Sequence, residues 1–244
     1  MKLLFTRIYL TISLLILFTV GLKAQKNVEN QDLLWLRYNL KLNIDNNWQL
    51  IQEVEERSYW FPWRQHQFLT RTLLTRKLGK GWNLGAAFTY FQQSIPHNPE
   101  EKDYYNRTEL RPQIEVVYKQ ILSENWNISH RYWSEFRFIE QESGKIAFTN
   151  NRSRYKLELS YSPHDKIHLK AFDEIFLNIG SDITYNVFDQ NRYGFSIQYM
   201  PFEKLGVEVG YIKWFQQRAS GDDFYNRDIF RFTIIHIINL KKNN

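Results

Sequence analysis

The stretch NISHRYWSEFRF, residues 127–138, alternates two kinds of residue. Successive side chains of an extended chain point to opposite faces. Ile128, His130, Tyr132, Ser134, Phe136 and Phe138 therefore share one face, and Asn127, Ser129, Arg131, Trp133, Glu135 and Arg137 share the other. Two environments accept such a strand. In a soluble sandwich or lipocalin-like barrel the apolar face packs inward and the charged face meets water. In a membrane barrel the apolar face meets lipid and the charges line the inside.

The same period-2 pattern runs through the chain. Leu34, Leu36, Tyr38, Leu40, Leu42 and Ile44 alternate with Trp35, Arg37, Asn39, Lys41 and Asn43. Thr108, Leu110, Pro112, Ile114, Val116 and Tyr118 oppose Arg107, Glu109, Arg111, Gln113, Glu115 and Lys119. Tyr155, Leu157 and Leu159 oppose Arg152, Arg154, Lys156 and Glu158. The pattern predicts strands over 33–44, 48–60, 65–78, 82–93, 106–121, 126–140, 151–162, 167–178, 190–200, 205–216 and 228–240. Many exceed the roughly five or six residues usual in soluble domains. Short turns at 45–47, 79–81, 123–125, 163–166 and 201–204 alternate with longer loops at 94–105, 141–150, 179–189 and 217–227. That asymmetry is expected of an outer-membrane barrel, with its short turns in the periplasm.

Two short repeats mark the two kinds of connection. Trp48-Gln49-Leu50, Trp82-Asn83-Leu84 and Trp126-Asn127-Ile128 each follow a short turn, where an interfacial aromatic girdle belongs. Asn106-Arg107, Asn151-Arg152, Asn191-Arg192 and Asn226-Arg227 each follow a long loop, with every Arg in phase with its strand's polar face. Strand length, girdle, loop asymmetry and charged inner face together favour an all-β, antiparallel up-and-down transmembrane β-barrel over a soluble periplasmic lipocalin-like binding barrel. Eleven strands are counted, whereas even-numbered closure asks for ten or twelve. Residues 48–78 carry the least regular pattern, with Gln52 and Glu56 out of phase.

Composition narrows the function classes. Aromatic residues make up 17% of the 244-residue chain, and the mean hydropathy of -0.53 argues against helical membrane spans. The chain has no cysteine, so disulfides, Cys-based metal sites and a cysteine-anchored lipid are excluded. The net charge of +6 is scattered along strands, which argues against a nucleic-acid patch. Lys2 and Arg7 flank the start of an apolar run from Ile8 to Val20, and Leu22-Lys23-Ala24 offers a cleavage site. Residues 1–24 read as a secretory signal peptide and 25–244 as one outer-membrane β-barrel domain.

Several pieces, in order, carry a family likeness: Glu53-x-Glu55-x-Arg57, His130-Arg131-x-x-x-Glu135-x-Arg137-Phe138, Arg152-x-Arg154-Tyr155-x-Leu157, Asp173-Glu174-Ile175-Phe176-Leu177-Asn178, Asn191-Arg192 and Gly210-Tyr211. They resemble the bacterial family known as domain of unknown function 2490, over most of the chain after the signal peptide. The resemblance implies an outer-membrane location and supplies no activity. Trp133 departs from the basic residue expected at its place, and Leu240-Lys241-Lys242-Asn243-Asn244 stands where a terminal aromatic is expected.

The candidate lumen or binding residues are Arg107, Arg152, Arg192, Arg227, Arg131, Glu135, Arg137, Arg154 and Glu174. Arginines suit carboxylate and phosphate groups, and a ring of them at the mouth would attract anions. The plainer reading is that lumenal charges pair across strands and fill a narrow interior. The expected function is therefore a structural or binding barrel with an occluded Arg/Glu-lined lumen, or a narrow anion-preferring pore. The expected partners are outer-membrane lipid and a small anionic solute or lipopolysaccharide. No cofactor, metal or nucleic acid is expected, and the oligomeric state is open. A lipid-modifying barrel enzyme is the rival class. His130 and Ser134 share a face but lie about 13 Å apart along the strand, so a partner such as Ser153 would be needed. His164-Asp165-x-x-His168 spans a turn, where polar residues are ordinary. Asp173 and Glu174 face opposite ways and cannot act as a pair within one strand.

Overall fold

Eleven strands carry residues 26–240, which the computed structural model describes; the signal-peptide reading of residues 1–24 lies outside the described residues. They are β1 (Asn27–Asn43), β2 (Trp48–Tyr59), β3 (Arg64–Gly79), β4 (Trp82–Ile95), β5 (Tyr105–Ile121), β6 (Trp126–Glu140), β7 (Ile146–His164), β8 (Ile167–Ile179), β9 (Phe188–Tyr199), β10 (Leu205–Gln217) and β11 (Asp223–Asn239). Each pairs with its neighbours in chain order, and β1 pairs with β11 to close a barrel. The all-β barrel expected from alternation is the fold observed.

The odd count is accommodated at the seam. In an up-and-down chain the first and last of eleven strands run the same way, so they can pair only in parallel. They do so in one unbroken register from Asn27↔Asp223 to Asn43↔Asn239. Parallel ladders are slightly weaker per residue. Side chains add rungs across this one: Asn43 to Asn239 at 2.6 Å, Asn226 to Asn30 at 2.7 Å, Arg227 to Gln31 at 2.7 Å and Arg37 to Thr233 at 3.1 Å. No twelfth strand is needed among the described residues.

One end of the barrel carries tight turns. Gly79, Lys80 and Gly81 all adopt positive φ, and a Cβ at Gly81 would lie 2.3 Å from the Lys119 carbonyl. Asp45 accepts from the backbone N–H of Asn47 and Trp48, both at 2.7 Å. Aromatic residues ring this turn end: Trp82 packs on Tyr118 with centroids 4.7 Å apart, and Trp126 stacks on Tyr161 at 4.4 Å. The other end carries the connections at 60–63, 96–104, 141–145, 180–187 and 218–222. Those at 141–145 and 218–222 are much shorter than the alternation predicts, because β7 and β11 each begin five residues earlier than expected, and β1 begins six residues earlier. The added residues lack a regular apolar alternation, as in Asn27 to Asp32 against Asp223 to Asp228, so pairing and not amphipathicity defines them.

The outer wall is apolar and exposed, as at Tyr132, Leu157, Phe195, Ile197 and Val209. Along β1 the outward apolar residues run from Ile44, just past its end, up to Leu34, and polar Asp32 follows. Ten residue steps of strand tilted about 40° rise roughly 25 Å. The irregular third strand is also explained. Leu69, Arg71 and Leu73 face inward, while Thr70 and Thr72 face out and bond Gln52 at 2.8 and 2.6 Å.

Candidate functional site

The interior is built from the charged faces of the strands. Side chains from β5 to β8 converge at the waist. Glu135 accepts from Arg154 at 2.6 Å, from Arg152 at 2.7 Å and from Gln113 at 2.9 Å. Glu174 accepts from Arg154 at 2.7 Å and Arg131 at 2.8 Å, so Arg154 bridges the two carboxylates. Glu109 is held by Arg111 at 2.7 Å and Arg137 at 2.5 Å. On the opposite wall Glu208 takes Lys170 at 2.7 Å, Arg231 at 2.9 Å and Arg37 at 3.3 Å. Each of these buried carboxylates has two or three cations within ion-pair distance, which offsets the cost of burying its charge.

Trp133 lies inside this network, 3% exposed, with the guanidinium groups of Arg71, Arg131 and Arg154 each 4.6–4.7 Å from its ring. An aromatic face is a weak anion to a cation. Where a basic residue is expected, this chain thus places a surface on which three bases rest.

The space left inside is uneven. A chamber of about 880 Å³ opens at the turn end and leads to one of about 440 Å³ beside Arg37, Lys41 and Glu158. At the waist only about 110 Å³ remains among Arg131, Arg154, Glu135 and Glu174. Beyond it a vestibule of about 320 Å³ faces the loop end.

Two β-bulges shape that vestibule. Arg57 pairs with Gln67 and Ser58 with Gln65, so His66 is the extra residue of β3, and His66 and Gln67 both turn inward. Phe176 pairs with Gln190 and Leu177 with Phe188, so Asp189 is extra in β9, and Asp189 and Gln190 both turn inward. Bulges commonly re-aim side chains at barrel rims and beside active sites. Loop 96–104 covers the vestibule. Arg64 donates to the carbonyls of Asn98 at 2.7 Å, Glu101 at 2.9 Å and Pro96 at 2.5 Å, while Gln31 and Tyr59 both donate to the His97 carbonyl at 2.8 Å. Burial, with Arg227, Arg107, Arg218 and Arg64 nearby, pushes the His97 imidazole down to about 3.

The four Asn-Arg arginines are not equivalent. Arg107 is exposed at the rim. Arg152 bridges Glu135 and Asp189, the latter at 3.1 Å. Among the described residues, no carboxylate lies within ion-pair distance of Arg192 or Arg227. Arg227 is held by Gln31 at 2.7 Å and Gln216 at 2.6 Å, and both arginines lie 4.3 Å from the Trp214 ring. Arg131, Glu135, Arg137, Arg154 and Glu174 form the waist and its Glu109 neighbour, as described above. Arg37, Arg64, His66, Asp189 and Gln190 belong to the interior as well. Alternation marks Arg37, in phase with Trp35, but bulges hide His66 and Asp189. On the outer wall His130 bonds Tyr155 at 2.9 Å, while Ser134 accepts from Asn151 at 2.8 Å. Asp173 likewise faces out and accepts from Asn191 at 2.9 Å, with its neighbour Glu174 inside. His168 pairs with Ser162 at 2.8 Å, and His164 accepts from the Lys166 N–H at 3.2 Å.

No curated protein matches the chain by sequence. Among solved structures, the NanC porin in a rhombohedral crystal form matches with a TM-score of 0.50 at 12% identity, covering 84% of this chain and 97% of that one. That likeness shows a porin-like barrel fold. Residues 33–225, from inside β1 to the start of β11, match the family described as protein of unknown function DUF2490, and the chain belongs to that family.

Proposed function

We propose that this protein is an exported outer-membrane β-barrel whose Arg-rich lumen, closed at its waist to larger solutes, holds or admits small anions. The observation that carries this reading is the interior itself. Ten Arg and Lys side chains but only four Glu line the 110 Å³ waist, and among the described residues neither Arg192, one of the ten, nor Arg227 beyond the waist has a carboxylate within ion-pair distance. A passage so filled is too narrow for a general diffusion channel, and its cationic excess favours anions. The membrane location is supported by an apolar wall of about 25 Å, the height of the apolar band of such barrels, and by the aromatic residues at the turn end.

Planar-bilayer recording of the purified protein tests the reading. The expected result is no conductance, or a small conductance with reversal potentials that favour chloride over potassium. A large, unselective conductance would overturn it. Cell fractionation tests the location: the protein should partition with outer membranes and migrate in a heat-modifiable way in detergent gels. Recovery as a soluble periplasmic monomer would instead favour a lipocalin-like barrel.

A further inference from the structure

The loop-end vestibule concentrates hydrogen-bond donors that have no acceptor. His66 is fully buried, and neither ring nitrogen has a partner. Gln190 is 1% exposed; its amide oxygen accepts from Arg192 at 3.4 Å, which leaves its amide nitrogen unpartnered. The Nε of Arg192 and the indole Nε1 of Trp214 are unpartnered too. These four side chains line the same cavity and lie close together: Arg192 sits 4.3 Å from the Trp214 ring, and His66 and Trp214 have centroids 6.0 Å apart. Buried polar groups in folded proteins are almost always satisfied, so an unsatisfied cluster calls for a reason.

The sign of the cluster indicates its ligand. Amide, guanidinium and indole N–H groups only donate, and a neutral imidazole supplies one donor. The cavity has arginines on several sides, including Arg57, Arg111, Arg192 and Arg227, and Asp189 is its one acidic lining residue. A carboxylate or phosphate oxygen is the acceptor that satisfies such a set, because it is charged and accepts without donating. Two bulges deliver His66 and Gln190 to the cavity, which marks it as a built feature. Its 320 Å³ gives room for about ten water-sized groups. The ligand therefore carries more than a bare oxyanion.

We infer that the vestibule is a binding site for a small organic anion, whose carboxylate or phosphate is taken by Arg192, Gln190, Trp214 and His66. The inference rests on the barrel reading above and deepens it. Its place inside the wall selects a free solute over a lipid headgroup. Loop 96–104 would then have to admit the ligand from the loop end.

The test is calorimetric titration of the detergent-solubilised protein with gluconate, glucose 6-phosphate and inorganic phosphate, with glucose as the uncharged control. At least one organic anion should bind more tightly than inorganic phosphate, and glucose should not bind. Among the described residues no carboxylate is within ion-pair distance of Arg192, and nearby Glu174 keeps Arg154 and Arg131, so Arg192→Met strands no buried carboxylate. That variant should keep heat-modifiable migration and a thermal midpoint at or above the wild type, while affinity falls by about tenfold or more. Trp214→Phe removes one N–H and keeps the aromatic face; it should weaken binding by a few-fold. Lys145→Gln, exposed on loop 141–145 and not among the residues that line the vestibule, should bind as the wild type does. Failure of every anion to bind would overturn the inference, as would binding that Arg192→Met and Trp214→Phe leave unchanged. Bilayer selectivity is read separately. Binding without anion-selective conductance would leave this site standing, and anion selectivity without binding would remove the site alone.

Discussion

The sharpest consequence of the interior is that two arginines with the same sequence signature carry unequal loads. Arg152 holds two carboxylates that are nearly sealed from solvent, with side chains of Glu135 and Asp189 exposed by 1% and 6%. In Arg152→Gln, Glu135 keeps Arg154 at 2.6 Å and Gln113 at 2.9 Å, but Asp189 keeps only Gln216 at 3.5 Å. One buried carboxylate is thus stranded and the other is not. Stranding a buried charge costs about 3–5 kcal/mol. The low end applies because Asp189 borders the vestibule, so the expected loss is about 3 kcal/mol, or roughly a hundredfold in the unfolding equilibrium. Arg107→Gln, at the exposed rim, should stay within about 0.5 kcal/mol of the wild type. Urea unfolding in detergent micelles, followed by tryptophan fluorescence, measures both. Adding Asp189→Asn to Arg152→Gln should recover part of the loss, and that coupling isolates the pair. Equal effects of the two single substitutions would refute the reasoning, as would an Arg152→Gln loss under about 1 kcal/mol.

Three other outcomes are expected. Leu157→Arg puts a cation on the outer wall and should impair assembly by about 2–4 kcal/mol if it sits near the bilayer midplane. Lys156→Leu, which faces inward beside a partly exposed Glu158 at 2.5 Å, should be milder; folding yields into lipid vesicles compare them, and equal tolerance would reverse the assigned faces. Trp133→Leu removes the ring under three guanidinium groups and should cost at least about 2 kcal/mol, with Trp133→Phe in between, as read from urea midpoints; a neutral Trp133→Leu would remove its supporting role. For His97, held down to about 3 against an ordinary 6.5, the unfolded chain binds the extra proton between those values. Stability should therefore rise with pH across that window and be lost as pH falls below about 6.5. The difference between wild type and His97→Gln, measured by unfolding at several pH values, should show that slope; parallel curves would contradict it.

The fold is legible where outward-facing apolar and lumen-facing polar residues alternate, and illegible elsewhere for definite reasons. Alternation over Leu34 to Asn43 gives the faces of β1 correctly, because one side of that segment is apolar. It is silent over Asn27 to Asp32, where no regular apolar alternation runs and the strand exists because β11 pairs with it. The inward sets of β5, β6 and β7 follow the period through Glu115, Arg137 and Lys156. At His66 and Asp189 the period fails, because a bulge turns two consecutive residues inward. The recurrence of Asn-Arg locates four arginines but not their partners, which come from strands distant in sequence. Arg152 finds Asp189 two strands further on and Arg227 finds Gln31 across the closing seam, and no local spacing encodes either contact.

Lumen filling alone does not account for this choice of side chains. Buried ion pairs can often be replaced by well-packed apolar residues with no loss, and sometimes with a gain of about 1–4 kcal/mol. This barrel already uses that alternative on one side, where Leu33, Trp35, Tyr59, Ile212, Trp214 and Ile229 form an apolar cluster inside the seam. Beside that cluster stand Arg192 and Arg227, both lacking a carboxylate and supported on Trp214. Aromatic faces and amides stabilise a buried guanidinium without neutralising it. Extra glutamates would have cancelled the charge, whereas tryptophans leave it directed into the vestibule. The cationic character of the loop-end chamber thus follows from which partners the arginines have, not merely from how many there are. That is the physical ground for reading the chamber as a place where an anion is held.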